Sequence, residues 1–178
     1  YGDEKVFAPG TVIISAGGEV SDIKKVVSPV LIRDRNTAIY YIDFSFDNFQ
    51  LGGSAFAQSL GKIGKTAPTV KDSEYFVSAF NTIQELIEKD LILAGHDISA
   101  GGMITALLEM NFGNPEGGLE INLDKIAEKD IIKILFSENP GVLIQVKDKN
   151  SVEKILQNNG IGFSKIGRPC KERHILVK

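Results

Sequence analysis

Apolar and polar positions follow two periods along the chain, and the changes from one period to the other mark its elements. Thr11-Val12-Ile13-Ile14-Ser15-Ala16 is β-branched and predicts a buried strand. Gly17-Gly18 then predicts a bend, and residues 21–27 a short amphipathic helix stopped ahead of Pro29. Residues 36–44, centred on Ile39-Tyr40-Tyr41-Ile42, predict a central strand. Leu51-Gly52-Gly53-Ser54-Ala55-Phe56-Ala57-Gln58 reads as a glycine turn opening into a helix. That turn serves either a phosphate or close packing of the helix on a sheet, and packing is the preferred reading. The longest helix is expected from Asp72 or Ser73 to near Lys89. Tyr75, Phe76, Ala79, Phe80, Ile83, Leu86 and Ile87 recur at helical spacing there and form one apolar face.

Leu91-Ile92-Leu93-Ala94 predicts a strand or its tail, broken by the small polar residues that follow. A helix is expected after Gly102, where Met103, Ile104, Ala106, Leu107, Leu108 and Met110 leave little polar surface. A helix apolar on most sides is buried on most sides, which makes this one central. Residues 111–118 predict a loop, and Leu119-Glu120-Ile121-Asn122-Leu123 a strand with one wet face. A helix over 127–136, a strand over 142–146 and a helix over 151–157 ending at Gly160 come next. Strands over 161–166 and 175–177 close the chain. That last strand–helix–strand–strand run resembles half of a ferredoxin-like sandwich. The interleaving predicts an α/β or α+β layered fold, a mixed sheet with helices, in a single domain over residues 1–178.

Composition narrows the function classes. The chain carries 20 Lys and Arg against 23 Asp and Glu, a formal net charge of −3, so nothing favours nucleic acid or an anionic membrane as partner. No apolar run approaches the roughly 18 residues a membrane span needs. The start, Tyr1-Gly2-Asp3-Glu4-Lys5, has neither an initiator Met nor the pattern of a signal peptide. It predicts a processed chain or a piece cut from a longer one. The single cysteine, Cys170, excludes an internal disulfide and fits reducing, cytoplasmic surroundings. Arg168-Pro169-Cys170-Lys171 reads as a turn, with Cys170 a plain turn residue.

The candidate chemistry gathers in His96-Asp97-Ile98-Ser99-Ala100-Gly101-Gly102. A carboxylate, a hydroxyl and two glycines stand where a strand is expected to end and a helix to start. A helix N-terminus offers unpaired N–H groups and partial positive charge to phosphate. Asp97 is a candidate Mg²⁺ ligand, and Ser99 a candidate helix cap or phosphate donor. A capped helix with no ligand is the alternative. His96 is either a general base or a ring that orients the loop by bonding a backbone carbonyl, and the second is preferred. With only His174 besides, no zinc site is expected, and His174 is expected at the surface. Neither a Gly-x-Ser-x-Gly elbow nor a Walker loop occurs; Gly61-Lys62-Ile63-Gly64-Lys65 lacks the Walker order. Glu138, ahead of Asn139-Pro140-Gly141, points either into the cleft of Asp97 or outward from a turn.

His96-Asp97-Ile98-Ser99-Ala100-Gly101-Gly102 resembles the His-Asp-x-Ser-Asp-Gly-Gly signature of the C-terminal domains of the AIR-synthase-related superfamily. Val12-Ile13-Ile14-Ser15-Ala16 with Val20 and Asp22, the glycine turn at Gly52-Gly53, the run Leu107-Leu108-Glu109-Met110, and Leu135-Phe136-Ser137-Glu138-Asn139-Pro140-Gly141 support the resemblance. Within the superfamily the chain is most similar to the second such domain of the large phosphoribosylformylglycinamidine synthases. The resemblance implies ATP-dependent transfer of the glutamine amide to formylglycinamide ribonucleotide in purine biosynthesis, with release of ADP, phosphate and glutamate. It implies Asp97 as a Mg²⁺ ligand and Ser99 as a nucleotide contact, in an auxiliary ADP site with no catalytic residue. Its partners would be the N-terminal AIR-synthase-related domains and the glutaminase domain of a parent enzyme, with a homodimer of the fragment as a further option; the fragment alone would be inactive. Ala100 departs from the signature, which carries Asp there. That departure is the best support for one rival, a non-catalytic scaffold of the same fold; a second rival, another ATP-using member of the superfamily, is disfavoured because such members carry different sequences in place of this motif.

Overall fold

The computed structural model describes Asp3, residues 13–20 and residues 22–178. Its strands are β1 (Ala38–Asp43), β2 (Ala94–Asp97), β3 (Gly118–Ile121), β4 (Gly141–Val146), β5 (Phe163–Cys170) and β6 (Ile175–Val177). They form one sheet in the order β2-β4-β1-β5-β3-β6. The helices are α1 (Ala55–Ser59), α2 (Ser73–Glu88), α3 (Gly102–Phe112), α4 (Ile131–Phe136) and α5 (Lys149–Asn158).

β1 runs antiparallel to β4 and β5, and β2 antiparallel to β4. With α2 between β1 and β2, and α5 between β4 and β5, these elements complete a ferredoxin-like double βαβ core. The fold is α+β as expected, and β4-α5-β5 is one βαβ half of that core, but the last strand of the terminal run is not part of it. β6 leaves that core and pairs in parallel with β3, which is inserted with α3 and α4 between β2 and β4.

Residues alternate across a strand, so β1 feeds two cores. Tyr40 and Ile42 pack with Ala79 and Leu86 of α2 and with Val152 and Leu156 of α5. Ile39 and Tyr41 pack on the other face with Met103, Leu107 and Met110 of α3 and Ile134 of α4. Each buried Val, Leu, Ile or Met among these contributes about 1.5–3 kcal/mol by leaving water. The helix starts are capped by carboxylates: Asp72 Oδ1 accepts from the Glu74 and Tyr75 amides at 3.0 Å, and Asp130 and Asp148 cap α4 and α5 likewise.

Several expectations are corrected. Thr11 and Val12 lie outside the described residues, and so does Ser21. Ile13 and Ile14 are 87% and 85% exposed and form no strand, because no sheet edge pairs with them. The helix expected over 21–27 shrinks to a 3-10 turn, Ile23–Lys25, whose amides Asp22 caps. β2 begins at Ala94, where the expected strand ended, and runs through His96 and Asp97, held by their ladder to Leu143 and Val142 of β4. Phe80 is 49% exposed, off the buried face of α2, which is narrower than the apolar stripe. The helix expected over 127–136 starts only where Asp130 caps it.

Cys170 is the end of β5, paired with Gly118, and is buried rather than in a turn. Burial, with Glu172 and Glu120 nearby, pushes its thiol above the usual range. Since thiolate is the nucleophile, alkylation of native chain by iodoacetamide at pH 8 should run at least tenfold slower than after unfolding in urea. Equal rates would show an accessible thiol.

Candidate functional site

β1 and β2 end, and β4 begins, at the same edge of the sheet: Asp43 pairs with Gly141, and Asp97 with Val142. Two glycine turns are brought to that edge. One opens α1, where Ser54 Oγ accepts from the Ala57 amide at 3.2 Å. The other opens α3 through Gly101 and Gly102, with φ of +89° and +75° and no side-chain cap.

Glu138 ties them together. Its Oε1 accepts from the Ala55 amide at 2.7 Å and from the Gly101 amide at 2.9 Å. Phe56 of α1 stacks on Phe136 of α4, ring centres 4.6 Å apart. A Cβ on Gly102 would lie 2.7 Å from the Leu135 carbonyl oxygen, so α3 starts against the backbone of α4. Two buried polar residues anchor the same loop. Ser137 Oγ donates to the Gln50 carbonyl at 2.9 Å, and Asn139 Nδ2 donates to Ser45 Oγ at 3.0 Å and to the Asn48 carbonyl at 3.1 Å. Asp43 orders the start of that segment, accepting from the Ser45 and Phe46 amides at 3.0 Å each.

Asp97 stands at the C-terminal end of β2 with its side chain 74% exposed. Among the described residues no backbone amide donates to its carboxylate; the nearest cationic-capable atom is His96 Nδ1 at 3.5 Å. It borders a hollow of about 390 Å³ walled by Val27, Ile83, Ile87, Ile92 and Val142. Ser99 is exposed but does not border that hollow, and its hydroxyl does not cap α3: Gly101 occupies the cap, and the Ser99 backbone carbonyl accepts from the Gly102 amide at 3.0 Å.

His96 takes the orienting role. Its Nδ1 lies 2.7 Å from the Asp97 carbonyl oxygen, and its Nε2 3.2 Å from Glu109 Oε2 on α3. A ring held between two oxygens at 17% side-chain exposure braces β2 against α3. His174 is exposed, as expected.

Glu138 is the residue at this edge whose place the sequence left open. It is half-buried and clamps two backbones, neither of the two placements its spacing allowed. Ser137 and Asn139 were missed; only their position between an apolar helix and Pro140-Gly141 marked them. Among the described residues no three His, Cys, Asp or Glu side chains converge to hold a metal ion. A Mg²⁺ ion beside Asp97 would therefore have to be a shared ion, with phosphate and water supplying most of its oxygens.

The family model "AIR synthase related protein, C-terminal domain" matches residues 47–177. The chain belongs to this family. The matched span holds both glycine turns, Asp97, Ser99 and Glu138. The chain is 35% identical over 179 residues to a probable phosphoribosylformylglycinamidine synthase of Caenorhabditis elegans, covering 93% of the chain and 13% of that protein. It is 33% identical over 163 residues to human phosphoribosylformylglycinamidine synthase, covering 91% and 12%. The chain thus spans about an eighth of the length of these relatives. Thermotoga maritima PurL complexed with ATP shares the fold, with a TM-score of 0.63 at 14% identity over 88% of the chain and 25% of that protein. No helix among the described residues is long and apolar enough to cross a membrane.

Proposed function

We propose that this chain is one AIR-synthase-related C-terminal domain, residues 1–178, of a cytoplasmic phosphoribosylformylglycinamidine synthase. In that reading it belongs to an ATP-dependent C–N ligase of purine biosynthesis that takes its amide from glutamine. Its partners are the N-terminal AIR-synthase-related domains and the glutaminase domain. The chain alone is inactive, since it lacks the glutaminase cysteine and the partner half of an interdomain nucleotide site. The names of relatives aligned over more than nine-tenths of the chain support this, as does the ATP complex of the Thermotoga neighbour.

The observation that carries a nucleotide role is the exposed Asp97 carboxylate beside a hollow, directly ahead of the rigid, buried start of α3. Asp97 would hold Mg²⁺, which neutralises phosphate charge. Ser99 would contact the nucleotide. Glu138 already satisfies the Gly101 amide, so α3 offers an anion fewer free donors than its N-terminus alone would. With Ala100 in place of a carboxylate, this favours a stored nucleotide over a turning-over one.

Asp97→Asn in the full-length enzyme should weaken Mg·ADP binding about tenfold or more in calorimetry, with one charge lost from a Mg²⁺ ligand. Equal affinity and stoichiometry in parent and variant would remove Asp97 as a metal ligand.

A further inference from the structure

The sheet is wider than its roof. α2 and α5 pack against β1, β4 and the first residue of β5, whereas the buried residues of β3 and the packed residues of β6 all belong to the opposite face. The outer half of the sheet on the α5 side is therefore open, and a trough of about 710 Å³ lies there. Arg35, Lys125, Lys149, Lys165, Arg168 and Lys178 line it. These are six of the chain's 20 lysines and arginines, in a chain of net charge −3.

Of the trough's two carboxylates, Glu120 is paired with a cation and Asp124 bonds only a neutral amide. Glu120 Oε2 accepts from Arg168 Nε at 2.9 Å and lies 2.8 Å from Arg168 Nη2. Arg168 first, then Arg35 and Lys178, hold the Glu120 carboxyl below its usual range. Asp124 Oδ2 accepts from Asn122 Nδ2 at 3.1 Å. Among the described residues Arg35, Lys125, Lys149, Lys165 and Lys178 enter no ion pair. Lys149 also sits in the first turn of α5, where the helix dipole disfavours a cation. Like charges gathered around one hollow repel one another until an anion joins them.

We propose that this trough seats a small anion bearing two or more phosphate groups. Its volume lies in the range of small-molecule sites, and ammonium groups on flexible stems suit phosphate as point charges. The trough is separate from the glycine turns. Lys165 and Gly167 pair with Tyr40 and Ile39 toward the start of β1, whereas the turns gather at Asp43, its end.

The chain carries a core on each face of its sheet, so it is titrated as it stands, with inorganic triphosphate at low ionic strength. Binding below about 1 mM is expected. The double variant Lys149→Glu/Lys165→Glu should weaken it about tenfold or more, and Lys149→Gln/Lys165→Gln less; Lys89→Gln, outside the trough, should leave it unchanged. Unaltered thermal unfolding of the variants checks their folding. A parallel ADP titration, followed by amide shifts at Gly167 and Lys178, tells a nucleotide from a free polyphosphate. Absence of binding, full affinity in the charge-reversal variant, loss with Lys89→Gln, or tighter binding of polyglutamate than of triphosphate would each overturn the proposal.

Discussion

Gly102→Ala should cost the chain about 2–5 kcal/mol, a large part of the stability of an ordinary domain. Two penalties add. A residue with a Cβ at φ +75° pays about 1–2 kcal/mol for the left-handed conformation. The new methyl carbon would also stand 2.7 Å from the Leu135 carbonyl oxygen and 2.8 Å from Phe136 Cα, both backbone, at an overpacking cost of about 1–3 kcal/mol. Gly53 supplies the control. Its φ is +74°, yet nothing lies within 4 Å of the Cβ it would gain. Gly53→Ala should therefore pay the conformational cost alone. Urea unfolding of the pair isolates the close approach of α3 to α4. Equal losses in both variants would show that the approach is not tight.

Glu138→Ala is expected to lose about 2–4 kcal/mol, because one carboxylate oxygen holds two backbone amides from segments far apart in the chain. Hydrogen bonds to a charged group contribute about 1.5–3 kcal/mol each, and partial exposure of Glu138 places the sum toward the lower end. Glu138→Gln keeps an acceptor oxygen in the same place and should lose about 1 kcal/mol or less. The alanine variant should also speed hydrogen exchange at the Ala55 and Gly101 amides more than at amides of β1. If exchange quickens uniformly, Glu138 contributes to global stability but does not clamp the two turns. A loss in Glu138→Gln as large as in Glu138→Ala would mean that charge, not the shared oxygen, carries the contact.

The clamp also governs what the candidate site can do. It fixes the start of α3 relative to α1, and so the frame from which Asp97 and Ser99 project. It takes up the Gly101 amide, one of the donors at the start of α3. The same carboxylate thus adds rigidity and limits the anion capacity of the helix terminus. Asp97, by contrast, takes no backbone amide among the described residues and borders the hollow beside it with its side chain exposed.

Periodicity alone determined the long amphipathic α2, the buried α3, the doubly covered β1 and the caps at Asp72 and Gly160, because each rests on contacts repeated within a few residues. The signature around His96 to Gly102 placed the chain in its superfamily for the same reason: a short backbone shape demands glycines and small polar residues in one order. Only the tertiary structure decided the rest. Ile13 and Ile14 have strand propensity but no partner edge, and His96 and Asp97 have little propensity but a ladder to β4. Strand formation is settled by the neighbour, which local sequence does not contain. Likewise the meeting of Glu138 with Ala55 and Gly101, and of six cations on an uncovered sheet face, joins residues distant in the chain. Such convergence follows from strand order and insertion, and no spacing along the chain encodes it directly.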